Sequence, residues 1–202
     1  MPELTSDLTV LASTAVLAYL LGSIPFGIVM TRLFGLGDLR SIGSGNIGAT
    51  NVLRTGNKLA AALTVILDGA KGGIAVLIAR WLVAEDAAQV AGLAAFLGHL
   101  FPLYLNFRGG KGVATFLGTV LALSPPVGAA CCLTWLVVAL ITRISSLAAL
   151  FAASTSLLWV ILLTRAEPAF AITIMVVLVF VRHRDNISRL RAGTEPKIGA
   201  TQ

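Results

Sequence analysis

Residues 59–82, LAAALTVILDGAKGGIAVLIARWL, decide the fold class of this chain. The stretch is apolar and long enough to cross the hydrocarbon core of a bilayer, which takes about 20 residues of helix. Asp68 and Lys71 lie three positions apart within it, so a helix would pair them and lower the cost of holding charge in lipid. A functional role for this pair is the alternative. Gly69 and Gly73 form a G-x-x-x-G spacing, which favours close packing against another helix.

Six further apolar segments surround this one. Of the 202 residues, 57% are hydrophobic and 12% are charged, whereas about a quarter of the residues of a soluble domain are charged. We therefore predict an all-α integral membrane protein, a bundle of seven transmembrane helices that forms a single domain over residues 1–202. The predicted spans are 8–34, 59–82, 90–107, 113–123, 127–142, 145–164 and 169–181. Pro25 should kink the first span, and Pro125 and Pro126 should end the fourth.

The distribution of charge predicts the orientation. Seven spans place the two termini on opposite sides of the membrane, and basic residues concentrate on the cytoplasmic side. With the C-terminus cytoplasmic, twelve of the fifteen Lys and Arg residues lie in cytoplasmic segments. Five of the nine acidic residues fall outside: Glu3, Asp7, Glu85, Asp86 and Glu167. We predict an N-terminus outside and a C-terminus inside. The same distribution argues against nucleic-acid binding, because the basic residues lie at the ends of apolar runs and not along one face.

Three polar stretches then fall on the cytoplasmic side, and the first is GSGNIGATNVLR at 43–54. Its glycines allow backbone N–H groups to approach an anion closely. Arg54 offers a planar guanidinium that suits a phosphate. The candidate binding residues are Gly43, Ser44, Gly45, Asn46, Thr50 and Asn51. The alternative is a mobile loop of turn-forming residues, and composition alone does not choose between the two.

The second stretch is FRGGKGVAT at 107–115. Lys111 stands among Gly109, Gly110 and Gly112, with Thr115 four residues later. The pattern is not the nucleotide-binding G-x-x-x-x-G-K-[ST]. A helix that begins near residue 113 would direct its free N–H groups at an anion held by the lysine. The alternative is a basic turn that follows the distribution of positive charge.

The third stretch is the tail from residue 182, RHRDNISRLR and beyond. His183 and Asn186 would share one helix face, and His183 could donate to a phosphate or act as a base. Glu195 could pair with a nearby arginine. The alternative is a solvated juxtamembrane tail. We interpret His99, inside a predicted span, as a hydrogen-bonded core histidine, and the adjacent Cys131 and Cys132 as packing residues.

Several catalytic patterns are absent from the sequence. There is no H-x-x-x-x-D pair, no Ser–His–Asp or Cys–His set with a suitable spacing, and no cluster of metal-ligating residues. We therefore expect no metal and no cofactor, and the sequence does not name a base for a hydroxyl group.

Taken together, the polar stretches resemble the bacterial acyl-phosphate-dependent glycerol-3-phosphate acyltransferases, the PlsY family. The resemblance rests on LLGSIPFG at 20–27, GSGNIGATNVLR at 43–54, DGAKG at 68–72, GHLFPLYLNFRGGKGVAT at 98–115 and HRDNISRLRAGTE at 183–195. These blocks extend over nearly the whole chain in the expected order, so the match is much more specific than any one of them.

The resemblance implies a seven-helix enzyme of the bacterial cytoplasmic (inner) membrane with its active site facing the cytoplasm. Such enzymes transfer an acyl group from acyl phosphate to the 1-hydroxyl of sn-glycerol 3-phosphate, forming lysophosphatidic acid and phosphate. The expected partners are these two substrates and membrane lipid, and the enzyme that produces acyl phosphate is a further candidate. The predicted catalytic residues are Ser44, Asn51, Arg54, Lys111, His183 and Asn186. The predicted substrate-binding residues are Gly43, Gly45, Asn46, Thr50, Gly109, Gly110, Gly112, Thr115 and Glu195.

The chemistry leaves two acceptors for the hydroxyl proton. Acyl phosphate is already activated, so positioning and electrostatic stabilisation could suffice, with its own phosphate accepting the proton. His183 is the other candidate. A membrane carrier for organophosphates is the alternative function, although carriers bind near the midplane of the membrane and these stretches gather on one side.

Overall fold

The computed structural model describes residues 5–164 and 168–199, and within these residues it contains ten α-helices and no strand. The helices are α1 Leu8–Gly22, α2 Phe26–Leu33, α3 Ala49–Leu53, α4 Lys58–Leu82, α5 Glu85–Leu100, α6 Val113–Leu123, α7 Pro125–Thr142, α8 Ser145–Leu163, α9 Ala169–Arg182 and α10 Arg184–Arg191. The all-helical class predicted from the sequence is therefore confirmed for this part of the chain.

Five helical segments are long and apolar enough to cross a membrane: Leu8–Leu33, Lys58–Leu82, Glu85–Leu105, Pro125–Thr142 and Ser145–Leu163. Two shorter apolar helices, Val113–Leu123 and Ala169–Arg182, match the two shortest predicted spans. Many large apolar side chains on these helices are exposed, for example Trp81, Leu140 and Ile161. Such a surface is suited to lipid and not to water.

The first apolar segment is interrupted where the sequence predicts it. The helix ends at Gly22 and resumes at Phe26, so α1 and α2 are separate helices. Pro25 has no N–H to donate, and it disfavours helical backbone at the residue before it. The break leaves the Ile24 carbonyl oxygen without a helical partner, and Lys71 Nζ donates to it at 2.8 Å.

The acidic loop predicted at residues 83–89 is wrong, because α5 begins at Glu85. Two carboxylates in a first turn interact favourably with the positive end of a helix. Glu85 also accepts from Arg80 Nε at 2.6 Å. Asp86 accepts from the backbone N–H groups of Thr5 and Ser6 at 2.9 and 2.8 Å, which ties the start of α1 to α5.

The predicted end of the same span is also wrong, because α5 ends at Leu100 and not at residue 107. Pro102 ends the helix, and a 3₁₀ turn at Leu103–Leu105 follows. The polar segment predicted between the first two spans contains a 3₁₀ turn, Leu39–Ser41, and the short helix α3. The prolines at 125 and 126 open α7 directly after α6 ends, consistent with the preference of proline for a first helical turn.

Glycines bring the central helices into backbone contact. Helix α4 packs against α5 and α6, α1 packs against α5, and α7 packs against α8. A methyl group built on Gly118 would lie 2.1 Å from the Gly69 carbonyl oxygen, so α4 and α6 could not approach this closely with larger residues. The close packing predicted from Gly69 and Gly73 is confirmed, since a methyl group on Gly73 would lie 3.2 Å from the Gly118 carbonyl oxygen.

A core of large buried side chains, including Phe96, Phe116 and Met175, fills the space between α5, α6 and α9. Cys131 is buried in this core and Cys132 is half-buried, and both are free thiols, in line with their interpretation as packing residues. The predicted turn at residues 165–168 lies mostly outside the described residues, as do Glu3, Arg165 and Glu167.

Candidate active site

A cavity of about 240 Å³ lies at the pole of the bundle where α4, α6 and α8 begin and α9 ends. All three polar stretches contribute to its lining, although up to about 140 residues separate them in the chain. The predicted site residues that line it are Ser44, Asn46, Thr50, Asn51, Arg54, Lys111, Gly112, His183, Asn186 and Glu195. The predicted site residues that do not line it are Gly43, Gly45, Gly109, Gly110 and Thr115.

Lys111 stands at the centre of a polar chain in this cavity. Its Nζ donates to Asn186 Oδ1 at 2.5 Å, and Asn186 Nδ2 donates to Glu195 Oε1 at 2.5 Å. Burial lowers the pKa of Lys111 to about 8, and the Glu195 carboxylate offsets only part of this effect. The ammonium group is therefore mostly charged at neutral pH and has a neutral amide as its direct partner, so it retains the capacity to bind an anion.

Glu195 anchors the tail to the bundle. Its Oε1 accepts from Ser146 Oγ and its Oε2 from Arg189 Nε, both at 2.7 Å. Burial alone would raise the pKa of Glu195, but the hydrogen bonds from Ser146, Asn186 and Arg189 lower it overall. The predicted pairing of Glu195 with an arginine is confirmed, and the carboxylate orients Asn186, which in turn contacts Lys111.

His183 lies between α9 and α10 and is 2% exposed. Its Nδ1 is 2.8 Å from the Val179 carbonyl oxygen. Burial lowers the pKa of His183 to about 4, so the ring is neutral at pH 7. A neutral ring that donates Nδ1–H to the carbonyl keeps Nε2 as a hydrogen-bond acceptor. The side chain can thus accept a bond from a substrate hydroxyl, but it is a weak base.

Arg54 reaches the cavity from the end of α3. Its Nη1 donates to Asn51 Oδ1 at 3.2 Å, and Asn51 Nδ2 donates to the Leu39 and Ile42 carbonyl oxygens at 2.8 and 3.0 Å. The Asn51 amide thus holds the loop and orients the arginine. Gly43 has φ +52°, and a methyl group there would lie 2.4 Å from Arg54 Nη1, so this glycine makes room for the guanidinium.

The glycine–lysine loop is fixed from two sides. The N–H groups of Gly109 and Gly110 donate to the Leu100 and His99 carbonyl oxygens, both at 3.1 Å. Arg182 donates to the Gly109 and Gly110 carbonyl oxygens at 2.8 and 3.1 Å. These two glycines therefore hold the loop in place, and their N–H groups face protein acceptors and not the cavity.

The first turn of α6 follows this loop and borders the cavity through Val113 and Ala114. The N–H groups at the start of a helix have no intrahelical partner, and they carry the positive end of the helix dipole. Gly112 has φ +84°, a conformation that other residues rarely adopt, and it turns the chain from Lys111 into the helix. Thr115, the third residue of the helix, is fully buried.

The sequence reasoning missed several lining residues, namely Asp68, His99, Trp135, Ser145, Ser146 and Arg189. Asp68 and His99 form a pair, with Oδ1 and Nδ1 3.5 Å apart, although 31 positions separate them. The sequence indicated these two residues only through the family resemblance, because Asp68 lies in the stretch at 68–72 and His99 in the stretch at 98–115. Ser145 and Ser146 begin α8, and Ser145 Oγ is 3.0 Å from Thr50 Oγ1. No spacing in the sequence could have indicated that contact.

The lining of the cavity is chemically mixed. The cations Arg54, Lys111 and Arg189 contribute to its lining, and so do the large apolar side chains of Val65, Leu117 and Trp135. Such a site can hold a phosphate beside an alkyl chain. In the described parts of the chain, no group of three or more His, Cys, Asp or Glu residues could hold a metal ion.

The fold and the site define a class: a helical membrane protein with a cationic, partly apolar cavity at one pole of its bundle. The chain belongs to the glycerol-3-phosphate acyltransferase family, whose model matches residues 12–193. The resemblance seen in the sequence is therefore confirmed.

Similar proteins agree with this assignment. The glycerol-3-phosphate acyltransferase of Cereibacter sphaeroides is 63% identical over 199 residues, covering 98% of this chain and 95% of its own. The Jannaschia protein of the same name is 61% identical, with 99% and 98% covered. Two crystal structures of the integral membrane acyltransferase PlsY (YgiH) also match. The glycerol 3-phosphate form has a TM-score of 0.87 at 42% identity, with 94% of this chain and 96% of that chain covered. The lysophosphatidic acid form has a TM-score of 0.86 at 41% identity, with 94% and 95% covered.

Proposed function

We propose that this protein transfers an acyl group from acyl phosphate to the 1-hydroxyl of sn-glycerol 3-phosphate. The products are lysophosphatidic acid and inorganic phosphate. One observation carries the proposal: Arg54, Lys111, His183 and Asn186, from three distant segments, line a single cavity whose lining is partly apolar. Membership of the glycerol-3-phosphate acyltransferase family and the likeness to a glycerol 3-phosphate form of PlsY support the acceptor.

The cavity suits substrates of unequal polarity. Both substrates carry phosphate, and the guanidinium of Arg54 and the ammonium of Lys111 supply two cations for them. The alkyl chain of the donor can lie against Val65, Leu117 and Trp135, which are large apolar residues of the lining. The water-soluble acceptor can then enter at the pole of the bundle while the chain remains among the helices.

The reaction needs little covalent assistance from the protein. The 1-hydroxyl oxygen attacks the carbonyl carbon of acyl phosphate, and the bond from that carbon to the phosphate oxygen breaks. The hydroxyl proton moves to the departing phosphate, so the atoms balance without a cofactor. Arg54, Lys111 and the first turn of α6 would stabilise the developing negative charge. The low pKa of His183, about 4, favours an orienting hydrogen bond over proton abstraction.

We further propose seven spans in the bacterial inner membrane, with the N-terminus outside and the active site facing the cytoplasm. Five long and two shorter apolar helices support the number of spans. The orientation rests on the concentration of basic residues at the pole that carries the cavity. The individual contributions of the predicted catalytic and substrate-binding residues belong to this proposal as well.

Phosphate release by the purified protein tests the function. Protein in detergent or nanodiscs is given acyl phosphate, glycerol 3-phosphate, or both. We expect phosphate release and lysophosphatidic acid only with both substrates. Phosphate release from acyl phosphate alone, at the same rate, would indicate a phosphatase and contradict the proposal.

Sealed vesicles separate the enzyme from a carrier. Labelled glycerol 3-phosphate is added outside proteoliposomes that contain the protein but no acyl phosphate. We expect no label inside beyond that of protein-free vesicles. Entry of unmodified glycerol 3-phosphate would favour an organophosphate carrier and count against acyl transfer as the primary activity.

A further inference from the structure

The imidazole of His99 lies directly beneath the glycine–lysine loop. A methyl group built on Gly110 would lie 2.2 Å from His99 Nε2 and 3.0 Å from Cε1. Glycine at this position therefore allows the loop backbone to rest on the imidazole ring. Lys111, the next residue, reaches Asn186 across the cavity. The ring thus limits how closely the backbone at Gly110 can approach α5, in addition to the hydrogen bonds that hold the loop.

The imidazole lies beside a buried group of polar side chains. His99 Nδ1 is 3.5 Å from Asp68 Oδ1, and Lys71 Nζ is 2.8 Å from the same oxygen. Lys71 also donates to the carbonyl oxygen of Ile24, at the break between α1 and α2. The side chains of Asp68, Lys71 and His99 are each at most 5% exposed. Through these side chains, the first apolar segment, α4 and α5 are connected to the underside of the glycine–lysine loop.

We propose that Asp68 and His99 are positioning residues that place Lys111 for phosphate binding through the contact between His99 and Gly110. The inference rests on the proposed function, because it assigns a role within that same site. Neither residue needs to touch a substrate in this account. His99 Nδ1 lies 3.5 Å from Asp68 Oδ1, and Nε2 is the ring atom that a methyl group on Gly110 would meet first.

Paired substitutions test the contact. Gly110→Ala should collide with His99 and displace the loop. His99→Asn keeps a donor where Nδ1 faces Asp68 but removes the atoms that would collide. We expect Gly110→Ala to raise the KM for glycerol 3-phosphate by about tenfold or more, a factor that corresponds to about 1.4 kcal/mol. The double variant His99→Asn/Gly110→Ala should bind glycerol 3-phosphate more tightly than Gly110→Ala alone.

Gly109→Ala is the matched control. A methyl group at Gly109 would lie 2.1 Å from the His99 carbonyl oxygen and 2.6 Å from that of Leu100, which are backbone atoms. Removing the His99 ring does not relieve these collisions. We therefore expect no recovery in His99→Asn/Gly109→Ala. Equal recovery at both glycines would mean that His99→Asn loosens the region in general, and it would overturn the proposal.

The kinetic readout separates positioning from a general structural role. The KM for glycerol 3-phosphate should respond, while the KM for acyl phosphate should change by less than about twofold. Absence of recovery at Gly110, or an effect confined to kcat, would overturn the proposal. If Gly110→Ala yields little folded protein in the membrane, the amount of folded protein replaces KM as the readout. His99→Asn should then raise this amount in the Gly110→Ala background but not in the Gly109→Ala background.

The outcome is distinct from failure of the proposed function. Binding of labelled glycerol 3-phosphate to the same variants needs no acyl donor. Suppose that the wild-type protein binds glycerol 3-phosphate but transfers no acyl group, and that His99→Asn restores binding to Gly110→Ala but not to Gly109→Ala. The positioning proposal then stands and the proposed function fails. If the wild-type protein transfers the acyl group but His99→Asn does not restore binding to Gly110→Ala, the proposed function stands and the positioning proposal fails.

Discussion

Lys71 and Lys111 are both withdrawn from water, but their surroundings differ. Lys71 is 2% exposed and lies 2.8 Å from both Asp68 Oδ1 and the Ile24 carbonyl oxygen. Lys111 is half-buried, and its direct partner is the neutral amide of Asn186. A carboxylate therefore neutralises the first lysine within the helices, whereas the second keeps its charge at the edge of a cavity.

The difference shows how a membrane protein can use the same side chain in two ways. An ion pair within lipid compensates the charge that it buries, and removing one partner leaves the other uncompensated. A lysine beside a cavity with a neutral partner can bind an incoming anion without first losing a carboxylate. We therefore expect Lys71 to contribute to stability and Lys111 to contribute to substrate binding.

Lys71→Met should have the largest effect, and that effect should be on stability. The substitution leaves the Asp68 carboxylate buried without its cation, which costs about 3–5 kcal/mol. Denaturant unfolding in mild detergent measures the loss. Lys58→Met on the exposed start of the same helix is the control, with an expected change within about 0.5 kcal/mol.

The double variant Asp68→Asn/Lys71→Met sharpens this prediction. Removing both charges avoids the uncompensated carboxylate, so the double variant should be more stable than Lys71→Met alone. A double variant that loses the sum of both single effects would show that the pair is not coupled, and the contrast between the two lysines would fail.

Lys111→Ala should leave stability nearly unchanged and impair the reaction. Loss of a charged group that stabilises the transition state costs about 10²–10³-fold in rate. Steady-state phosphate release gives kcat/KM, and the unfolding midpoint gives stability. A variant that loses stability as Lys71→Met does, with unchanged kcat/KM, would reverse the assignment of roles.

Arg54→Lys should have a smaller effect on the same reaction. Lysine keeps the charge but lacks the planar group that donates to Asn51 and can bind a phosphate through two nitrogens. We expect kcat/KM to fall by about 10–100-fold, the equivalent of one to two hydrogen bonds. Arg108→Lys, at an exposed position of the neighbouring loop, should be silent. Equal losses in both variants would exclude a specific role for Arg54.

The smallest expected effect is the change of the KM for glycerol 3-phosphate with pH. Burial lowers the pKa of Lys111 to about 8, so the ammonium group is charged below that pH and loses its proton above it. The charged fraction falls from about a half at pH 8 to about a tenth at pH 9, so the KM for glycerol 3-phosphate should rise by about fivefold over this range. In Lys111→Arg, which stays charged over this range, the rise should disappear. A rise of the same size in that variant would assign the titration to another group.

Much of the fold could be predicted from the apolar composition and from the glycines and prolines that flank the helices. Helix α6 has the predicted bounds, because a glycine precedes it and a serine and two prolines follow it. The start of α5 could not be predicted in this way. Acidic residues such as Glu85 and Asp86 are typical of a loop and also of a helix N-terminus. Only their contacts with Arg80 and residues 5–6 decide between the two.

The site was partly predictable for a different reason. The polar stretches identified Arg54, Lys111, His183 and Asn186, because polar residues are rare in so apolar a chain. The contact between His99 and Asp68 depends on how α5 packs against α4, which sequence spacing does not encode. The roles of Gly109 and Gly110 also depend on tertiary structure, since their N–H groups donate to carbonyl oxygens that the end of α5 supplies.

A crystal structure of this protein with glycerol 3-phosphate bound would show directly whether Arg54 and Lys111 hold the phosphate of the acceptor. We expect the phosphate to lie within hydrogen-bond distance of Lys111 Nζ or the Arg54 guanidinium, in the cavity that also contains His183 and Asn186. A phosphate bound elsewhere, for example in the separate cavity lined by Arg32 and Arg40, would contradict the account.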